Sequence, residues 1–390
     1  MVATINADTS NGVVITSDTS GEIELQANGV TKAKVTANGL QDANGASLRG
    51  GSFRNLIING DMQIAQRGTS VTSKTTGGYF TIDRFDADIA SGGTWSQSQS
   101  TEVPSSQGFT KSYKFDCTAT KATLDAGSKV AVQTKLEGQM LQHLQYGSSN
   151  AQTVTLSFWV RSSKTGTYTL EYYLNHDNRH YSKTYTIDTA NTWEKKTITI
   201  AGDTTGVIDN DNTSGLLCKW WLAAGSTFTG GTFTDGTWQT RVTNQAVSSS
   251  NVNLADSTSN DWYITGVQLE VGSGASDFEF LPFDVQLARC QRYCQYGKFH
   301  GSGSAGGSGG SVPIVAMLWK VPMRTTPTIS WVSGGTCGDG NNNYNITSLN
   351  FSNKMSSEGG QFGFVCTSAL SAQNVGVLMN EAILNVNAEL

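Results

Sequence analysis

Between residues 53 and 283 the chain repeats one pattern, short runs of β-branched and aromatic residues in which apolar and polar side chains alternate. "TVTLSFWVRSS", "GTYTLEYYLNH", "YSKTYTI", "TWEKKTITI", "LLCKWWLAAG" and "DWYITGVQLEVG" are the clearest of these runs. A period of two is the signature of a strand with one face on a core. No Pro falls between Pro104 and Pro282, so central strands are permitted throughout. Turn clusters such as Lys164-Thr165-Gly166 and "GDTTG" separate the runs, and no helical pattern intervenes. The expected fold class is all-β, with a jelly-roll β-sandwich over 53–283.

The flanks differ from this centre. Residues 1–52 carry Asn-Gly pairs at 11, 28, 38 and 44, the residues a two-residue hairpin turn prefers. In "GEIELQANGVTKAKVTANGL", Ile23, Leu25 and Ala27 alternate with Glu22, Glu24 and Gln26, and Val30 and Val35 continue the apolar set. The first fifty residues hold no aromatic, so this N-terminal β-hairpin segment is too poor to bury a face by itself. Beyond the sandwich, "FDVQLARCQRYCQYG" predicts a short linking helix over 284–297. Asp284 is placed as its cap, Leu287, Cys290 and Cys294 lie on one face, and Gly297 can end it. "GSGSAGGSGG", 301–310, reads as a loop or linker. The strand-like runs that follow make 298–390 a small C-terminal β-domain.

Composition excludes several functions. Charged residues make up 15%, but nine Trp, twelve Tyr and fifteen Phe supply area to bury. A net charge of -5 argues against nucleic-acid binding, which needs a basic face. No run approaches the ~20 apolar residues of a membrane span, and "MVATINADTS" lacks the basic and apolar regions of a secretory signal. Assembly in a cytoplasm is therefore expected. The six cysteines (117, 218, 290, 294, 337 and 366) are scattered without a CxxC pair and are expected to be reduced.

No motif calls for a cofactor. His176 and His180 in "NHDNRHYS" sit between two strand-like runs, where Asp177-Asn178 signals a hairpin tip with no third ligand in sequence. "DNDNTSG", 209–215, opens like a calcium loop but has Ser214 where Gly is required and Trp220 where Glu is required, leaving at most weak Ca²⁺ binding. Asp83, Asp86 and Asp88 cluster without a convergent acid–base set, so no enzyme is expected. Strand parity is more telling. It places Trp159 and Arg161, Glu171 and Tyr173, and Lys219 and Trp221 on faces turned away from the core. An aromatic beside a charged residue suits sugar stacking or a protein interface, unless a loop or subunit covers that face.

Seven stretches, taken in order, resemble bacteriophage tail-fibre and related virion proteins. They are "RNLIINGDMQIAQRGTS", "TIDRF", "LSFWVRSSKTGTYTLEY", "NTWEKKTITI", "VQLEVG", "LARCQRYCQYG" and "NVNAEL". The middle region also looks like the jelly-roll carbohydrate-binding modules found in such proteins. The resemblance implies a homotrimer in the virion, with other phage tail proteins and host cell-surface polysaccharide as partners. Ile23, Leu25, Ala27, Val30 and Val35 would then meet their copies on a threefold axis. It transfers no ligand residues. The alternative it leaves open is a structural virion component, such as a head fibre or tail decoration protein, that binds nothing.

Overall fold

The computed structural model describes residues 22–36, 39–43, 53–306, 312–338, 343–367 and 377–390. The architecture is almost wholly β, and among the described residues no helix is long and apolar enough to cross a membrane.

Near the N-terminus, β1 (Ile23–Ala27), β2 (Val30–Thr36) and β3 (Gly39–Asp42) form a three-stranded antiparallel meander. Asn28 and Gly29 both have positive φ, 53° and 73°, the geometry that a tight hairpin with right-twisted strands demands. Ile23 stands opposite Val35, Leu25 opposite Ala33 and Ala27 opposite Val30. Leu25, Val30, Val35 and Leu40 nonetheless remain 40–55% exposed. The turns expected at Asn11, Asn38 and Asn44 lie outside the described residues.

The sandwich follows. Its strands are β4 (Ser70–Lys74), β5 (Phe85–Ala90), β6 (Thr94–Ser100), β7 (Ser112–Ala119), β8 (Lys129–Glu137) and β9 (Val154–Ser162). They continue as β10 (Gly166–Leu174), β11 (Arg179–Ile187), β12 (Glu194–Ile200), β13 (Ser214–Ala224), β14 (Trp238–Thr240) and β15 (Asp261–Val271). One sheet has the order β14-β11-β10-β13-β8-β5 and the other β12-β9-β15-β7-β6-β4. The chain passes repeatedly between them, as a jelly roll requires. Period-two alternation fills the space between the sheets: Phe158, Val160, Tyr168, Leu170, Tyr172, Trp220, Trp262 and Ile264 are all fully buried.

The helix is shorter than the sequence pattern indicated. After α1 (Ser226–Thr229), a single turn, α2 spans Phe283–Gln291. Pro282 occupies its N-cap and Asp284 lies in the first turn, with no side-chain cap. Cys294 is not on the helix; it opens a strand, because the backbone from Cys294 onward pairs with the end of the chain, Cys294 opposite Asn387. Cys290 and Cys294 are buried free thiols, while Leu287 is half-buried.

The C-terminal unit contains β16 (Cys294–Gly306), β17 (Val312–Leu318), β18 (Thr328–Ser333), β19 (Thr336–Gly338), β20 (Asn343–Asn353), β21 (Gly359–Cys366) and β22 (Val377–Asn387). β16 pairs with both β17 and β22, so the sheet closes on itself around Phe299, Val315, Trp319, Phe362, Phe364 and Leu384. The glycine-rich stretch is accordingly no simple linker. Residues 301–306 belong to β16, and 307–311 lie outside the described residues. A Cβ on Gly303 would lie 1.7 Å from the Ile314 carbonyl oxygen, so the missing side chain is what lets β16 approach β17.

The sandwich and this closed sheet meet at a buried charged cluster. Arg84 pairs with Glu389, lies 3.5 Å over the Tyr293 ring and donates Nη2 to the Lys135 carbonyl at 2.6 Å. Arg67 reaches Glu389 at 3.1 Å and Asp83 at 3.7 Å. Arg324 donates to the carbonyls of Asn212, Ala388 and Glu389. The motifs "QRG", "TIDRF", "RCQRY" and "NAEL" thus converge on one junction.

Candidate functional site

The six outward residues do not form one site. Trp159 and Arg161 lie on β9 of one sheet; Glu171, Tyr173, Lys219 and Trp221 lie on β10 and β13 of the other. The two groups sit on opposite outer faces of the sandwich.

The face with four of them is largely covered, which corrects the expectation that these side chains stand free. The segment after β13 folds back over it, so Trp221 is fully buried against Phe228, Ala131, Ala246 and Val247. Its Nε1 donates to Glu171 Oε2 at 3.1 Å, and Arg241 Nε donates to Glu171 Oε1 at 2.6 Å. Burial alone would raise the Glu171 carboxyl, but the His180 ring and the Arg241 charge hold it down at about 2. Lys219 is bonded to Asp88 at 2.7 Å and lies over the Trp221 ring. Tyr173 is half-buried, donates to Asn178 Oδ1 at 3.2 Å and has Arg241 5.0 Å from its ring centre. His180, expected at a hairpin tip, is buried on β11 opposite Tyr173. Parity identified the outward direction correctly, but outward is not the same as exposed.

The opposite face is covered in part, with Thr155, Ser157, Tyr263, Thr265, Gln268 and Glu270 buried and residues 276–279 bonded over Gln268, but a hollow remains beside half-buried Trp159. Trp159 lines a cavity of about 230 Å³. Lys195 on β12 and Thr265 on β15 are its cross-strand neighbours. Just past Thr265 the register slips by a bulge, and Gly266 takes a φ of +62°. A Cβ there would lie 2.6 Å from the Phe109 ring, so the glycine makes room for that ring in the cavity wall. Phe109, Phe278 and Phe280 pack together with centroids 4.9–5.2 Å apart. Ser157, Ser106, Gln107, Ser276, Asp277 and Lys195 supply hydroxyl, amide and charged groups around them. Below Ser276, Glu270 is fixed by the Ser276 hydroxyl at 2.7 Å and Arg54 at 3.3 Å. Arg161 continues the face beyond Trp159, donating to the Asn191 carbonyl at 3.1 Å and lying 4.8 Å over the Tyr263 ring.

Sequence reasoning found Trp159 and Arg161 but missed Lys195, Phe109, Asp277, Phe278 and Phe280. Three of them, Asp277, Phe278 and Phe280, lie in "SDFEFLPF", a dense aromatic run just beyond the last sandwich strand that Pro282 cuts short.

His176 meets Asp209 and Asp211 of the calcium-like loop, with donor atoms within 4.8 Å of one another. The hydrogen bonds argue against a cation there. His176 Nδ1 accepts from the Asp209 backbone N–H at 2.9 Å, which leaves the neutral ring's proton on Nε2, facing Thr213 Oγ1 at 2.8 Å. Such a ring has no free lone pair to give a metal. The cluster ties the β10–β11 hairpin to the loop before β13.

No protein-family model matches the chain, and no curated protein matches it. Among solved structures it is similar to the enzymatically active domain of bacteriophage CBA120 tailspike protein 4. The identity is 12%, covering 56% of this chain and 22% of that one, with a TM-score of 0.30. It is also similar to a putative sugar binding protein from Bacteroides thetaiotaomicron, at 11% identity over 56% of this chain and 99% of that one, TM-score 0.28. A family 11 carbohydrate-binding module from Clostridium thermocellum aligns at 11% identity over 56% and 94%, TM-score 0.22. At such scores these likenesses carry no argument about what this chain binds.

Proposed function

We propose that the chain is a bacteriophage virion protein, a homotrimeric tail fibre that binds host surface polysaccharide at the Trp159 cavity without cleaving it. The observation that carries this reading is the cavity itself, an indole and three phenyl rings bordered by hydroxyl, amide and charged groups. A sugar ring has an apolar C–H face to lay on an aromatic and hydroxyls at its edge to bond, so it needs both kinds of group together. Asp277 is the single carboxylate lining the cavity, whereas glycoside hydrolysis ordinarily uses two. That supports binding without turnover. The ordered motifs resembling virion proteins support the place in the particle, with other tail proteins as partners. The exposed apolar residues of the N-terminal meander support self-association.

The test is adsorption of purified protein to host cells, comparing the native chain with Trp159→Ala after circular dichroism confirms the fold. A stacked ring contributes on the order of 1 kcal/mol beyond area burial, so each site should weaken about fivefold or more. Three linked sites would amplify that loss. Undiminished adsorption would favour the second reading, a structural head-fibre or tail-decoration protein. The covering of Trp221 and Glu171 fits that second reading for the other face.

A further inference from the structure

The hollow beside Trp159 is graded by depth. At its bottom lie Ser157 and Gly266, both buried, on the neighbouring strands β9 and β15. Half-buried Trp159 stands two residues beyond Ser157 on the same face of β9. The Phe109 ring lies over Gly266 from the β7 side, and Phe278 and Phe280 pack against it. The rim is polar and exposed, with Gln107, Lys195 and Asp277 on it. The outcome is a slot of about 230 Å³, with an indole on one side, phenyl rings on the other and a single hydroxymethyl group on its floor.

Three features narrow what such a slot accepts. Its two charged rim residues, one lysine and one aspartate, cancel, which suits an uncharged ligand. Ser157 is only 4% exposed, and its hydroxyl makes no hydrogen bond among the described residues. A donor on the floor that no group of the chain uses is left for whatever enters. The third feature is a surplus of aromatic rings. A hexose laid on Trp159 presents hydroxyls at its edge, and these give the phenyl side no apolar partner. A flat group with a methyl at one end, a carbonyl oxygen and an N–H fills that side better. An acetamide is such a group.

Resting on the reading of this hollow as a glycan site, we infer that its ligand is an uncharged N-acetylated sugar, an acetamido-hexose. The pyranose ring lies against Trp159 and the acetamido group enters the slot. Its methyl meets the phenyl rings, its carbonyl accepts from the Ser157 hydroxyl, and its N–H donates to Asp277 at the rim. A hydroxyl in that position offers no methyl and cannot reach both the floor and the rim. The site therefore prefers the acetamido sugar to the plain hexose of the same linkage.

The experiment uses the full chain and immobilised glycosides of N-acetylglucosamine and N-acetylgalactosamine, each beside the glucose or galactose glycoside that lacks only the acetamide. At least one acetamido member should bind about tenfold or more tightly than its counterpart. Ser157→Ala removes the floor donor and should cut that preference about fivefold. Ser157→Val fills the floor with a residue that strands favour and should abolish the preference, once circular dichroism confirms the fold. Because the ligand is uncharged, the preference should survive salt that shortens the Debye length from ~10 Å to ~3 Å. Equal binding within both pairs, or a preference untouched by Ser157→Val, would overturn the inference. Failure of every glycoside to bind would overturn it as well. In that event a loss of host-cell adsorption by Trp159→Ala would leave the glycan reading standing with another sugar, and undiminished adsorption would remove both.

Discussion

Glu171 is a buried carboxylate whose charge is retained by its neighbours: Arg241 Nε at 2.6 Å, Trp221 Nε1 at 3.1 Å and the His180 ring at 3.7 Å. Its folded value, about 2, lies below the ordinary 4.5. A depressed carboxyl stabilises the fold above pH 4.5, and that stabilisation is lost as pH falls from 4.5 toward 2. Asp83 behaves in the opposite sense, because burial raises it from 3.8 to about 6 despite Arg67. Its favourable contribution is complete below pH 3.8 and is lost as pH rises through 6. Asp86, also raised to about 6, acts in the same window. Glu171→Gln should therefore cost about 3 kcal/mol at pH 7, since it strands Arg241, and the cost should shrink toward pH 2. Asp83→Asn should flatten part of the decline in stability between pH 4 and 6, with Asp86 supplying the rest. Urea unfolding at stepped pH measures both. A Glu171→Gln penalty equal at pH 7 and pH 3 would contradict this account.

At the scale of elements, what was legible in the sequence is what depends on near neighbours. The inward set Phe158, Val160, Tyr168 and Leu170 follows from parity alone, and so does the outward set Trp159, Glu171 and Trp221. Which outward residues are covered does not, because Trp221 is buried by residues 228 and 246–247 through a fold-back with no periodic signature. The helix was over-extended for a related reason. Cys290 and Cys294 have helical spacing, but the ladder from Cys294 to Asn387, nearly a hundred residues along, overrides it. Glycines 301 and 303 were misjudged because a sequence poor in side chains still carries a full set of backbone donors and acceptors. The pairing makes a chemical prediction. Burial pushes the Cys290 and Cys294 thiols well up, whereas half-buried Cys366 is lowered by a hydrogen bond from Cys337. Iodoacetamide should alkylate Cys366 first, and Cys290 and Cys294 only as the protein unfolds. Rapid native alkylation of Cys294 would mean that the β16–β22 pairing opens.

For the whole molecule, the decisive contrast is between two ends held in different ways. The C-terminal unit is anchored to the sandwich by Arg67, Arg84, Tyr293 and Glu389, so Glu389→Gln should leave the buried Arg84 guanidinium without a carboxylate, and Arg67 with Asp83 alone, at a cost of about 3 kcal/mol. No comparable anchor is seen for the N-terminal meander among the described residues. Its three strands leave Leu25, Val30, Val35 and Leu40 largely in water, and so small a sheet is marginal unless its face is covered. A second and third copy would cover it, with Ile23, Leu25, Ala27, Val30 and Val35 packed across a threefold axis. Closed association would also shield the meander's edge strands from uncontrolled pairing. Light scattering of the purified protein should then report three times the chain mass. Leu25→Asp would place a charge at the centre of the packed face and should yield monomers whose sandwich retains its native circular dichroism. The same monomers should adsorb to cells far more weakly than the trimer, because three tethered sites multiply affinity through effective concentration while each cavity is unchanged. A native chain that runs as a monomer while residues 22–43 resist proteolysis would show that the meander is stable alone, and the trimer would have to be abandoned.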